Sequence, residues 1–498
     1  MDLSNWTEPA PGVTLTPQNE DDWTEAVSRY RGSKNDVPFD RCIQIARSHG
    51  ARHIVIETRF ADLDYRSEHH ALYGREFADV PAYAHRLHFF AGHIGEDQTD
   101  LPEDHRYIGY VTVRPVSTGL VSRAMLPPPA DAPGAQCAVE ETIHLFGQPL
   151  TVRGVPFSQQ DSRLGACAHT AAWVCHYTAV LRGDVERRPR ADFALLANSS
   201  LSAGRAVPTK GLTSPQIGAL MTQVGLPAEF HLLGSLPSSR LPWQHPQPHP
   251  PTDDLEAAPG TWDTRLFPVI CWYVNGGYPV IVGTHDHAFT IVGWSRDPDE
   301  PWRILFRRHD DQRGPYLTVH DPLDDQIEEP EPHHYGPWKS LQIPLPADLW
   351  LEPEGAERTA GDVLRSNSAE TARKLAARGT HVESLDELIA DKRLALRTYP
   401  ILSENFKANL PGLGIDPHHV TEYRRQRMPR HVWVVEAVDR TRRNVGEPCV
   451  IGEAVLDASS PENDVRVLAV RIHGLLGRTD STRPVLTKPT LTNMGGSH

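Results

Sequence analysis

FSQQDSRLGACAHTAAWVCHYTAVL, residues 157–181, decides how this chain is read. A polar segment broken by Gly165 runs straight into an apolar one. That pattern predicts a loop feeding a helix over roughly 166–182, stopped by Gly183. Cys167 falls in the first turn of this helix, where unpaired backbone N–H groups and the helix dipole favour a thiolate over a thiol. Gln159 and Gln160 stand just upstream as candidate hydrogen-bond donors. Together they read as a nucleophile with an oxyanion-stabilising neighbour.

Downstream, GLTSPQIGALMTQVGL (211–226) predicts a second helix, with Ser214 as N-cap, Pro215 at the first helical position and Gly225 as the stop. Residues 236–260 are dense in proline and lack any period, so an extended surface insertion is expected. Short β-branched and aromatic runs follow, GYPVIVGT, HAFTIVGWS, WRILFRRHDD and PYLTVHD, separated by turn residues. They read as consecutive antiparallel strands. A helical half followed by a sheet half is an α+β arrangement, with a site expected in the cleft where the halves meet.

The flanks extend this pattern. Residues 1–36 read as a polar N-terminal arm, and 37–150 as an N-terminal α+β domain built on FDRCIQIARSHG, HIVIETRF and RYIGYVTVRPV, with Pro115 ending the last strand. The central domain is expected over 151–345. Residues 346–480 read as a C-terminal α+β domain, including a helix opened by Ser384 and Glu387 in capping-box spacing, and 481–498 as a disordered tail.

Composition narrows the function classes. Among 498 residues, 50 Lys and Arg against 64 Asp and Glu give a net charge of −14, which argues against a nucleic-acid partner. No apolar run approaches the roughly 20 residues of a membrane helix, and the N-terminus lacks the pattern of a secretory signal. Six cysteines without framework spacing suit reduced thiols in a cytoplasm. Cys167, His169, Cys175 and His176 lack the paired spacing of zinc ligands, so no metal and no organic cofactor is expected. Cys175 reads as core.

The order QQDSRLGAC, GLTSPQIGALMTQVGL, GGYPVIVGTHDHAFTIVGW resembles the papain-like cysteine peptidases, in particular the bacterial branch containing the C39-like peptidases. The resemblance covers about residues 155–325. It implies a two-lobed core, a helical lobe against an antiparallel β lobe. It also implies Cys167 as nucleophile, Gln160 as oxyanion-hole amide (Gln159 being one residue too far), and His287 as base. The orienting acid falls on Asp310 first, the adjacent Asp311 second and Asp321 third.

The function so implied is an intracellular cysteine hydrolase. A peptidase acting on a protein or peptide through a thioester is placed first, with partner proteins meeting the flanking domains. An amidase or transglutaminase-like acyl transfer would use the same triad. An inactive papain-like scaffold that binds a peptide or protein would follow if these groups did not converge.

Overall fold

Alternation of apolar and polar residues builds antiparallel sheets through this chain, and buried or amphipathic helices give those sheets something to pack against. The computed structural model describes residues 13–478 except 18, 32–35, 78, 95–100, 102–104, 117, 131–133, 198, 200–210, 233–265, 298–303, 320–325, 328–332, 335–337, 414–416, 445–448 and 473–474. Every strand pairing among the described residues is antiparallel. With helices of comparable extent, the class is α+β. The proline-rich segment 236–260, the tail 481–498 and Asp321 lie outside the described residues.

The chain divides into two compact units. The first holds residues 1–236, 262–270 and 277–346. Its N-terminal sheet is a meander, β1 (Val13–Leu15), β2 (His53–Phe60), β3 (Ala84–Phe90), β4 (Tyr107–Val113) and β5 (Val121–Met125), in that spatial order. Helices α1 (Glu20–Arg31), α2 (Val37–Ser48) and α3 (Leu63–Ala71) are interleaved with these strands. Thus the segment expected to be a polar arm contains a strand and a helix. Asp36 caps α2 and Asp62 caps α3, each accepting from the backbone N–H three residues on. Pro115 ends β4, as its missing N–H requires.

After the short strand β6 (Ala135–Gln136) comes a hairpin, β7 (Val139–Leu145) and β8 (Gln148–Gly154). Its turn is Phe146–Gly147, both at positive φ, the backbone of a two-residue hairpin loop that matches strand twist. Val139, Ile143 and Leu145 point one way from β7 and pack on Val55, Phe90 and Tyr110 of the N-terminal sheet, while the alternate residues are exposed.

Helix α4 (Cys167–Leu181) follows, then α5 (Arg190–Ala197), α6 (Ser214–Gln223), the strand β9 (Ala228–Leu232) and α7 (Leu266–Asn275). From Ala168 to Ala179 every residue of α4 is buried, which identifies a central helix rather than an amphipathic surface one. Its stop at Gly183, φ +79°, is the expected one. In α6 the N-cap is Thr213, not Ser214. The Thr213 N–H donates to Gln216 at 2.9 Å, closing a capping box one residue earlier than the serine–proline pair suggests.

The remaining strands of this unit are β10 (Val280–Gly283), β11 (Ala288–Arg296), β12 (Ile304–Asp310), β13 (Gly314–Val319), a two-stranded β14 (Gln326–Ile327) and β15 (His333–His334), and β16 (Ser340–Pro344). The central sheet runs β13-β12-β11-β10-β16-β9, with β6 added on β11. Helix α4 packs against β11, and Thr290 of that strand donates to the Ala171 carbonyl at 3.5 Å.

The second unit, chiefly residues 347–498, is a meander of β17 (Leu394–Leu402), β18 (His431–Asp439), β19 (Val450–Asp457), β20 (Val467–Ile472) and β21 (Leu475–Arg478). Its long helix α8 (Pro353–Ala376) lies across β18, β19 and β20. The short helices α9 (Leu385–Ala390), α10 (Ser403–Asn409), α11 (Pro417–Arg425) and α12 (Arg440–Asn444) complete it. Ser384 and Glu387 form the expected capping box on α9. That helix stops at Ala390, so the Leu-Ala-Leu of 394–396 opens β17 instead of continuing it. No helix among the described residues is long and apolar enough to cross a membrane.

Candidate active site

Cys167 is the first residue of α4, and its N-cap is Ala166, whose side chain can accept nothing. The first-turn N–H groups of Cys167 and Ala168 therefore make no hydrogen bond among the described residues, leaving donors beside the sulfur. The approach to the helix is fixed by Asp161. Its Oδ1 accepts from the N–H groups of Arg163, Leu164 and Gly165 at 3.1, 3.0 and 2.8 Å, and its Oδ2 accepts from Tyr73 at 2.5 Å. Burial opposes ionisation of Asp161, yet Arg114 and these donors hold it below the ordinary carboxylate range.

His287 closes the turn from β10 into β11, where its N–H donates to Thr284 Oγ1 at 3.3 Å and its carbonyl accepts from the Thr284 N–H at 2.9 Å. His285 and Asp286 are exposed at the tip of that turn, whereas His287 is only 6% exposed. The Cys167 thiol is among the groups that raise the proton affinity of the His287 ring. On the ring's Nε2 side stand two carboxylates, Asp310 Oδ2 at 3.4 Å and Asp311 Oδ1 at 3.8 Å. At 3.4 Å the first contact is an ion pair longer than an N–H···O hydrogen bond.

Burial by itself would strip the proton from His287. Asp310, the thiol and Asp311 together overcome it and raise the imidazole well above its ordinary value. The partner shift has the opposite sign. Burial would neutralise Asp310, but His287 and Arg308, the latter also 3.4 Å from Oδ2, hold it far below the usual range. The N–H groups of Gln312 and Arg313 fix its Oδ1 at 2.9 and 3.2 Å.

Alternation along a continuing strand would turn Asp311 away from its neighbour Asp310. Strand β12 instead ends at Asp310 and the chain turns over 311–313, which returns Asp311 to the same side. Its carboxyl is pushed up to about 7, first by burial and then by the Asp310 charge, despite His287 and Arg190. It is 4% exposed and both its oxygens lack a hydrogen bond. Asp311 lines a small cleft shared with Cys167, Ser158, Val174 and Phe289.

The two glutamines separate cleanly. The Gln159 side chain is committed elsewhere, accepting from the Val121 N–H at 3.0 Å and donating to Asp36 at 3.1 Å. Gln160 is half-buried and its amide makes no hydrogen bond among the described residues, to Cys167 or otherwise. It is the one of the pair with a donor to offer.

Sequence reasoning missed the buried charges behind this segment. The Gln159 carbonyl accepts from Arg114 and from Arg190, each at 2.6 Å. Glu68 joins the two arginines, meeting Arg114 Nη1 at 2.8 Å and Arg190 Nε at 3.1 Å. These contacts, with Asp36–Gln159 and Tyr73–Asp161, cross the boundary expected near residue 150, and both sides belong to one unit.

His287, Asp310 and Asp311 present donors within 4.8 Å of one another, a spacing a divalent cation can bridge. Two features oppose one: Arg308 already neutralises Asp310, and the raised proton affinity of His287 competes for the lone pair that a metal needs. Cys167, His169, Cys175 and His176 do not gather. His169 Nδ1 accepts from the Ala166 N–H, His176 Nε2 from the Arg188 N–H, and the Cys175 thiol donates to the Pro279 carbonyl. No protein-family model matches the chain, and no curated protein matches it.

Proposed function

We propose that this protein is a papain-like cysteine hydrolase, placed first as a peptidase, with Cys167 as nucleophile, His287 as base and acid, and Asp310 as the carboxylate that orients and charges the ring. One observation carries the reading. A cysteine at a helix start, a histidine at a strand start and an aspartate at a strand end, distant in sequence, come together, and the aspartate and the thiol favour the protonated ring against the cost of its burial. A thiolate beside an imidazolium attacks a carbonyl carbon, and the imidazolium then protonates the leaving amine. The Cys167 N–H and the Gln160 amide would donate to the oxyanion, each such donor being worth roughly 2.7–4 kcal/mol in the transition state. Water completes hydrolysis of the thioester; an amine in its place would give acyl transfer with the same groups.

The test is alkylation with iodoacetamide from pH 4 to 9, with the labelled cysteine mapped by mass spectrometry. Cys167 is expected to react rapidly well below pH 8 and to slow in His287→Ala. Cys175, whose thiol burial pushes well up, is expected to stay unlabelled. Ordinary thiol behaviour at Cys167, or faster labelling of Cys175, would sink the reading.

A further inference from the structure

We infer that Arg190 is the positioning residue of the oxyanion side of this site, acting through the backbone of Gln159 and Gln160, with Arg114 and Glu68 as its supports. The inference rests on the hydrolase reading and adds to it a group with no part in the triad. Arg190 opens α5 and is 4% exposed, yet its guanidinium touches both elements that must stay in register for acyl chemistry. Nη2 donates to the Gln159 carbonyl at 2.6 Å and to Thr170 Oγ1 at 3.3 Å, in the first turn of the helix that Cys167 begins. Nη1 donates to the Ser122 carbonyl at 3.2 Å and to Ser158 Oγ, and Nε meets Glu68 at 3.1 Å.

The planar fork of one guanidinium thus fixes the distance between the Gln160 segment and the start of α4. A lysine, with one point of charge, cannot reproduce that geometry. Arg114 doubles the grip on the same carbonyl and also donates to the carbonyls of Gly119 and Val121. Glu68, 1% exposed, bridges the two arginines, so each buried guanidinium has a carboxylate oxygen beside it. Gln160 itself is held by no side-chain bond, so its amide is placed only by the backbone that this clamp grips.

Two reagents separate this role from a general one. p-Nitrophenyl acetate acylates Cys167 through a tetrahedral oxyanion, forming the S–C bond and expelling p-nitrophenolate. Iodoacetamide alkylates the same sulfur by displacement of iodide, with no oxyanion. The ratio of the two second-order rates reads oxyanion stabilisation with thiolate reactivity divided out. Arg190→Lys is expected to lower that ratio about tenfold or more, since a misplaced donor costs a large part of what a deleted one does. The change should be less than about threefold when made on top of Gln160→Ala, because the two act in series.

A ratio unchanged in Arg190→Lys, or an equal drop in both backgrounds, overturns the inference. Where Arg190→Lys fails to fold by circular dichroism, Arg114→Lys is read by the same criterion. A wild-type ratio no higher than that of N-acetylcysteine would instead overturn the hydrolase reading, and the two failures are distinguishable.

Discussion

Replacing Asp310 by Asn tests how the charge on His287 is maintained. Removing a full charge 3.4 Å from Nε2 takes away roughly 5 kcal/mol of attraction at an effective dielectric near 20. Arg308 sits 3.4 Å from the same oxygen and already offsets part of that charge, so about half of this is the expected net effect, or a ~30- to 100-fold weaker equilibrium constant for holding the ring proton. The neighbour Asp311 offsets some of it. Its carboxyl is held up near 7 by burial and by the Asp310 charge, so neutralising Asp310 lets Asp311 ionise 3.8 Å from the ring.

The expectation is therefore a hierarchy with a specific coupling. Asp310→Asn slows iodoacetamide labelling of Cys167 at pH 6 by about tenfold or more, and Asp311→Asn by about threefold or less. The double variant loses more than the product of the two factors, because the reserve carboxylate is gone. Second-order rates from intact-protein mass spectrometry, with thermal unfolding as a check on folding, decide it. Asp311→Asn costing more than Asp310→Asn, or a double variant multiplicative to within about twofold, would refute the assignment of roles.

Two further outcomes follow from the same geometry. Asp311 binds its proton more tightly in the folded chain, near pH 7, than the ordinary value of 3.8, so folded protein carries more protons between about pH 4 and 7 and its stability falls as pH rises through that window. Asp311→Asn should raise the melting temperature at pH 8 by at least about 2 °C and change it little at pH 4, as thermal scans at the two pH values will report. Gly119 has φ +72° and a Cβ there would stand 2.1 Å from the Gln160 carbonyl, so Gly119→Ala must displace that segment. It should lower Cys167 acylation by p-nitrophenyl acetate at least about tenfold while iodoacetamide labelling changes by less than about threefold.

What could be read in the sequence was what depends on local pattern. The run HIVIETRF is a strand over the same residues because β-branched and aromatic side chains suit a pleated surface. Cys167 stands at a helix start because Gly165 precedes an apolar run that α4 buries on all sides. Asp311 escaped for a physical reason. Which way it faces depends on where β12 stops, and a two-residue change in strand length moves it from one side of the sheet to a turn. Glu68, Arg114 and Arg190 escaped more completely, since a charged residue destined for burial carries the same letters as one on the surface. Only the partner, 46 residues away from Glu68 in the case of Arg114, makes the burial tolerable.

That last point alters the role of the N-terminal block. Read as sequence, it is a separate α+β domain flanking the core, a surface for partner proteins. Yet Asp36, Tyr73 and Arg114 all reach the seven-residue run from Gln159 to Gly165 that leads to Cys167, and Glu68 ties Arg114 to Arg190 behind it. Removing such a block would leave the Gln159 carbonyl with one arginine of two and Arg190 without the carboxylate that balances it. Breaking a buried pair in this way costs about 3–5 kcal/mol, because the surviving charge stays desolvated. The N-terminal block is therefore a structural part of the candidate site, and a central fragment starting near residue 151 would lack the groups that hold the segment leading to Cys167.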